Sequence, residues 1–260
     1  MTAGPLFSRR MAIAEMGKAG LAIAVLGIAA CSKEGSQSGS SIQGGSSNPS
    51  TSVPSSATSS TVFAGSSYRR INLGFVNAYI LFRGGEAAVV DTGISGSEEA
   101  IEAALGEIGL GWDAVGHVIV THKHPDHQGS LAAVVALAPA AQVYAGAEDI
   151  PEMETLATPT AVGDGEQVFG LEIIKTPGHT PGHISVLDEA AGVLVTGDAL
   201  NGGSGGVTGA NPSFSEDMTT ANASVVKLAG FTYETALFGH GEPVLTMASA
   251  QVNELASSLG

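Results

Sequence analysis

The chain has a single cysteine, Cys31, so it cannot form an internal disulfide. Basic residues are also scarce. Ten lysines and arginines stand against 25 aspartates and glutamates, a formal net charge of −15 at pH 7. Such a chain lacks a basic stripe to neutralise phosphates, which excludes nucleic acid as a partner. Its acidity otherwise reads as a solvated surface. No long apolar run is available to cross a bilayer: the one at residues 19–30 is too short to span and has the length of an export-signal core.

Residues 1–30 read as that signal. Arg9, Arg10 and Lys18 give it a basic start, and Arg9-Arg10 after Ser8 suggests the twin-arginine route, with a general-route signal as the alternative. Ile28-Ala29-Ala30-Cys31 resembles a bacterial lipoprotein cleavage box, which makes Cys31 the expected lipidation site. The implied location is outside the cytoplasm, anchored by lipid to a bacterial membrane. Residues 31–66 are a Ser/Gly/Thr/Pro/Gln tract with too little apolar mass to offset the entropy of ordering it, and they read as a flexible tether. Residues 67–260 then form one domain long enough for a good core.

Within that domain the pattern alternates between short apolar runs and helical segments. Residues 70–82 read as an opening strand pair, 87–90 and 118–120 as buried strands, and 142–144 as a further strand. Ser95 followed by Glu98 reads as a capping box for a helix over 98–108. A second helix is expected over about 129–137, and a helical or irregular region over 148–156. Residues 167–174 look like a hairpin, with strands at 183–187, 192–195 and 235–238. Helices are expected over 215–228, with Ser215 as N-cap, and over 247–259. Short strands alternating with helices suggest sheets covered by helices.

Histidine is what the chain concentrates. Three of its seven histidines, with a carboxylate, fall in His122-Lys123-His124-Pro125-Asp126-His127. His179, Asp198 and His240 follow, each in a Gly-rich turn after an expected strand. Imidazole is a good ligand for zinc and related metals, and a carboxylate can terminate or bridge two of them. Glycine lets the backbone bend sharply enough to present each ligand. Two divalent ions sharing a water lower its pKa from 15.7 towards about 7, which makes hydroxide available for attack on a carbonyl or phosphoryl centre.

In these segments, together with Val90-Asp91-Thr92-Gly93 and Thr176-Pro177-Gly178-His179-Thr180-Pro181-Gly182-His183, the chain resembles the metallo-β-lactamase-fold hydrolase superfamily. The resemblance covers residues 70 to about 244, in the family's order. It implies an αββα sandwich with a dinuclear site at one edge between the sheets. Carried over residue by residue, His122, His124 and His179 would bind the first ion, Asp126, His127 and His240 the second, and Asp198 would bridge them. On that ligand set, Asp126 would orient the nucleophile and carry its proton. Asp91 would support the metal loops without ligating, as a carboxylate that orients a ligand does. His183 is expected to be structural or, like Asp91, to support a ligand rather than bind an ion, and His117 to be a satisfied core or surface histidine. Zinc is the first choice, with iron or manganese also suited to an all nitrogen and oxygen ligand set.

Departures from subfamilies narrow the implied substrate. β-Lactamases of this fold more typically carry cysteine or serine near the position of Asp198. Glyoxalase II adds a helical C-terminal region, whereas little follows His240 here. The expected activity is hydrolysis of small carbonyl compounds: lactones, thioesters or esters. The alternatives are a β-lactamase, a mononuclear iron persulfide dioxygenase and a non-catalytic metal-binding lipoprotein. Residues 201–215 are expected to form a mobile rim with Phe214 near the substrate. Tyr79, Tyr144 and Tyr233 are candidate oxyanion donors.

Overall fold

Apolar residues on the strands alternate between two cores, and that alternation builds the layers. The computed structural model describes residues 67–153 and 157–259. The expected signal, Cys31 and the tether therefore lie outside the described residues. Strands β1 (Ser67–Asn72), β2 (Asn77–Arg83), β3 (Glu86–Val90), β4 (Val115–Ile119), β5 (Gln142–Gly146) and β6 (Thr160–Val162) form a six-stranded sheet in that spatial order. The first three run antiparallel and the rest are joined in parallel.

A second sheet takes β7 (Gln167–Val168), β8 (Leu171–Lys175), β9 (Ile184–Asp188), β10 (Val193–Val195) and β13 (Thr235–Leu237), in the order β13-β10-β9-β8-β7. A separate hairpin joins β11 (Leu200–Gly203) to β12 (Gly206–Gly209). On β2 and β3, Ala78, Ile80, Ala87 and Val89 face an outer core that includes Ile101 and Leu105 of α1 (Glu98–Glu107). Leu131 and Val134 of α3 (Leu131–Leu137) join them. Their neighbours Tyr79, Leu81, Ala88 and Val90 face the other way, onto Ile173, Ile184, Val186 and Val195 of the second sheet. That sheet turns Ile174, Leu187 and Leu194 outward onto α4 (Met218–Leu228) and α5 (Ala248–Leu259). The result is helix, sheet, sheet, helix. Each sheet is apolar on both faces because each is covered on both.

Several local expectations need correction. Ser215 does not cap a helix. α4 starts at Met218, and the Asp217 carboxylate accepts from the Thr219 and Thr220 amides at 2.9 and 3.2 Å. An N-cap must leave helical geometry at the first turn, and Asp217 is extended there (φ −142°) while Ser215 is engaged elsewhere. The Ser95/Glu98 capping box also fails: Ser97 precedes α1, and Glu98 instead accepts from the Ser130 hydroxyl at 2.8 Å. The helix expected over about 129–137 is present as α3, and an unexpected single turn, α2 (Pro125–Gln128), precedes it. The helical or irregular region expected over 148–156 holds, in its described part 148–153, a short 3₁₀ turn, Ile150–Glu152, and so needs no correction. Residues 201–209 pair as a hairpin rather than running as an irregular loop. Among the described residues, no helix is long and apolar enough to cross a membrane.

Candidate metal centre

Strand ends of both sheets deliver the polar cluster to one edge of the sandwich. His122 follows β4. His124 sits just ahead of α2 in an extended conformation (φ −67°, ψ 145°), and Pro125 starts that turn with the φ a helix requires. Asp126 and His127 are thus carried on a one-turn helix. His179 follows β8, Asp198 follows β10 and His240 follows β13. The tight turn at Gly197 has φ +51°, and a Cβ there would lie 2.7 Å from His183 Nε2. At Gly239 a Cβ would run into Asp198 Oδ1 and lie 2.6 Å from His127 Cε1, so only glycine lets the β13 loop close onto the cluster.

All seven expected ligands converge. His122 Nε2 and His179 Nε2 lie 3.1 and 2.9 Å from His124 Nδ1. His240 Nε2 lies 3.3 Å from Asp126 Oδ2, 3.2 Å from Asp198 Oδ2 and 3.5 Å from His127 Nε2. Asp198 reaches both halves, with Oδ1 3.3 Å from His127 Nε2 and Oδ2 3.4 Å from His179 Nε2. Metal–nitrogen bonds of about 2.0–2.1 Å in a tetrahedron set neighbouring ligand atoms about 3.3 Å apart, which is the spacing found here. Three groups could hold an ion: His122, His124 and His179; Asp126, His127 and His240; and His122 with His127 and Asp198. The third shows that the first two share a border at Asp198.

The outer ring nitrogens fix which atoms face inward. His127 Nδ1 donates to Asp91 Oδ2 at 2.8 Å, and Asp91 also accepts from the Thr121 amide at 2.7 Å and the Thr121 hydroxyl at 2.8 Å. His122 Nδ1 donates to Thr121 Oγ1 (3.0 Å), His179 Nδ1 to Ser215 Oγ (3.0 Å) and His240 Nδ1 to the Phe75 carbonyl (2.7 Å). Each of these four rings therefore aims Nε2 into the centre. A hydrogen-bonded outer nitrogen that sets the inner one is the usual support for a metal-ligating histidine.

Burial holds His122, His124 and His179 below the ordinary histidine value, His179 at about 4. Neutral rings cannot all donate to one another, so lone pairs face lone pairs across contacts near 3 Å. Asp198 Oδ1 is buried and makes no hydrogen bond. An orphaned carboxylate oxygen among inward-facing imidazole lone pairs fits a cation.

Protons do part of that work when no cation is bound. Hydrogen bonds with Asp126 and Asp198 raise His240 to about 10. Burial opposes charge on His127, but Asp198 and Asp91 outweigh it and raise it well above its ordinary value. A histidine raised in the folded state adds stability that is complete below its unfolded value and is lost as pH climbs through the folded one. The metal-free protein should therefore lose stability to urea between pH 6.5 and about 10. Its apparent affinity for zinc should rise over the same window as protons stop competing. Urea titrations in chelator across that window check the first expectation, and a flat profile would contradict it.

Both ring nitrogens of His183 are taken up by protein partners. Its Nε2 accepts from the Asp198 amide at 3.0 Å, and Nδ1 donates to Thr176 Oγ1 at 2.8 Å. His117 packs against Tyr144 and Phe169, with ring centroids 5.8 and 5.2 Å away, outside the centre. The tyrosines are not oxyanion donors. Tyr79 and Tyr233 are buried and donate to the Phe238 and Leu228 carbonyls, and Tyr144 stacks on His117.

Sequence reasoning missed Ser215, Phe75 and Asp149. Asp149 is fully buried. It accepts from the Lys123 amide at 3.0 Å, the Thr180 hydroxyl at 2.6 Å and the Gly182 amide at 2.7 Å. Only its place before Ile150-Pro151, a turn-like setting, hinted that it mattered.

A cleft of about 540 Å³ opens over the centre. His124, Asp126, Asp198 and His240 form its floor. Phe75, Pro125, Asn201, Asn211 and Phe214 form its walls.

Known proteins are similar to this chain over the stretch that holds the cluster. "Thioesterase pkgB" of Emericella nidulans is 30% identical over 66% of this chain and 47% of its own length. The "Hydroxyacylglutathione hydrolase" of Alkalilimnicola ehrlichii is 36% identical over 59% of this chain and 56% of its own. The chain thus spans about half the length of these relatives. A crystal structure of a metallo-β-lactamase family protein from Thermus thermophilus superposes with a TM-score of 0.61 at 25% identity, covering 75% of this chain and 79% of that one. The model of the metallo-β-lactamase superfamily matches residues 71–240, the stretch that holds every strand except most of β1 and every member of the cluster, and the chain belongs to that superfamily.

Proposed function

We propose that the chain is a dinuclear metal-dependent hydrolase of small carbonyl substrates, a thioester, ester or lactone. The observation that carries this reading is the convergence of five imidazoles and two carboxylates beneath one cleft, with Asp198 Oδ1 left without a hydrogen bond. His122, His124 and His179 would hold one ion, Asp126, His127 and His240 the other, and Asp198 both. Zinc is our assignment, because imidazole nitrogens dominate the set and their spacing suits tetrahedral coordination. When bound, the pair supplies Lewis acidity and a water acidified into the neutral range.

The chain's own groups do the rest. The Asp126 carboxylate is partly exposed to the cleft, where it can orient the attacking water and take its proton. Burial works against its charge, but the His240 hydrogen bond, the nearby His127 and its own backbone amide together outweigh that and keep its pKa below the ordinary carboxylate value. His183 fixes the Asp198 backbone, so the bridging carboxylate cannot drift as substrate binds. The names of the two relatives favour a thioester within the carbonyl class.

The full chain should contain about two zinc ions and hydrolyse at least one member of a panel of thioester, ester, lactone, β-lactam and phosphodiester substrates. Chelation should abolish turnover and added zinc restore it. Protein that is folded, binds no transition metal and stays inert after zinc is added would defeat the proposal. Preference for the β-lactam would replace the substrate class.

A further inference from the structure

The walls of the cleft carry no positive charge. Residues 67–259 contain six lysines and arginines: Arg69, Arg70, Arg83, Lys123, Lys175 and Lys227. None of them lines the cleft. Each is also matched by a carboxylate. Arg69 pairs with Glu107, Arg70 with Glu242 at 2.6 Å and Arg83 with Asp188 at 3.1 Å. Lys175 pairs with Glu148 at 2.6 Å and Lys227 with Asp164.

Lys123 stands beside His124 and is the cation nearest the ligands in sequence. It is held between Glu152 at 2.6 Å and Glu216 at 2.9 Å, with only 12% of its side chain exposed. Among the described residues, no cation is left to receive a substrate carboxylate away from the reacting carbonyl.

What the walls offer instead is apolar. Phe75 and Phe214 are 61% and 67% exposed, unusual for phenylalanine, and both border the cleft. Phe75 stacks on the His240 ring, with centroids 6.2 Å apart and planes 15° apart, so its own backbone contact with His240 fixes it beside the ligands. Phe214 stands in the segment after β12, anchored by its amide to the Asn211 carbonyl at 3.1 Å. Asn201 and Asn211 supply neutral polar groups. The 540 Å³ of the cleft suits a small ligand with an apolar tail.

We infer that the substrate is an uncharged acyl compound whose apolar portion lies against Phe75 and Phe214, and that the cleft discriminates against acyl groups ending in a carboxylate. This rests on the hydrolase reading of the same site. A remote carboxylate entering these walls would lose water without gaining a partner, and an acidic protein surface would repel it.

A matched pair tests it: the S-methyl thioesters of hexanoate and of adipate with its far carboxylate free. They share a reacting carbonyl and leaving group. Zinc-loaded full-length protein should turn over the hexanoyl compound with kcat/KM at least about tenfold higher. Asn211→Arg should narrow the ratio by improving the adipoyl compound, and Phe214→Ala should narrow it by weakening the hexanoyl one.

Calorimetry supplies a second readout without turnover. Pentane-1-thiol should bind the zinc-loaded protein about tenfold tighter than 5-mercaptopentanoate, since both present the same thiol and differ in the tail. Equal rates, or a preference for adipoyl, would overturn the inference and leave the hydrolase standing. If neither thioester is hydrolysed, the thiol ratio alone decides: a preference for pentane-1-thiol supports the cleft reading, and parity overturns it.

Discussion

Asp126→Ala should lower kcat by about 10²–10⁴-fold, the range expected when a positioned proton acceptor is removed. The effect should be large because one side chain is asked to do two things. Its Oδ2 lies 3.3 Å from His240 Nε2 and 3.9 Å from His127 Nε2, close enough to share an ion with them. It also faces the cleft, where water and substrate enter. Asp126→Asn separates the two roles. The amide oxygen can still ligate while the basicity is gone, so zinc content should recover further than kcat does. The fold should tolerate both changes, since Asp126 is partly exposed at the first turn of α2, and His127 and His240, which face it, both keep Asp198 as a partner. His117→Ala is the control. That ring packs against Tyr144 and Phe169 outside the centre, so its loss should cost stability while kcat stays within about twofold. An Asp126→Ala protein with wild-type kcat would remove both roles at once.

The candidate ligands stand out in the sequence for a physical reason. A metal centre needs imidazole and carboxylate in turns after strands, and such turns are short, so His122, His124, Asp126 and His127 must sit close together along the chain. Strands were legible where both faces are buried: Ala87–Val90 and Val193–Val195 are uninterrupted apolar runs because one side meets the inner core and the other a helix layer. The hairpin at 200–209 escaped because its glycines carry no strand signal, and pairing and packing against α5 impose the conformation instead. Ser215 was misassigned because a serine before a helix looks like a cap, and nothing local shows that a histidine 36 positions earlier claims its hydroxyl. The αββα layering itself was an implication of the family resemblance, and the two-core alternation supports it independently.

Asp149→Ala should be the most damaging change outside the ligand set, costing about 3–5 kcal/mol. The carboxylate is fully buried and joins two loops that are distant along the chain. Through the Lys123 amide it holds the segment carrying His122 and His124, and through Thr180 and Gly182 the segment carrying His179. Alanine would leave two amides and a hydroxyl without their acceptor, each worth about 1–3 kcal/mol and not strictly additive. Such a loss is a large share of the roughly 5–15 kcal/mol typical of a domain. Asparagine can serve only part of the set, because its amide nitrogen would face a donor, so Asp149→Asn should fall between alanine and wild type. Thr180→Val removes one donor and leaves the Lys123 and Gly182 contacts, so it should cost only about 1 kcal/mol. Zinc affinity should follow the same order, falling by about 10–100-fold in Asp149→Ala, since three ligands of one ion depend on the two loops being tied. Urea midpoints and zinc titrations of the three variants measure both effects. Equal losses in Asp149→Ala and Thr180→Val would mean that a single hydroxyl contact, rather than a carboxylate shared between two ligand loops, holds this edge of the sandwich together.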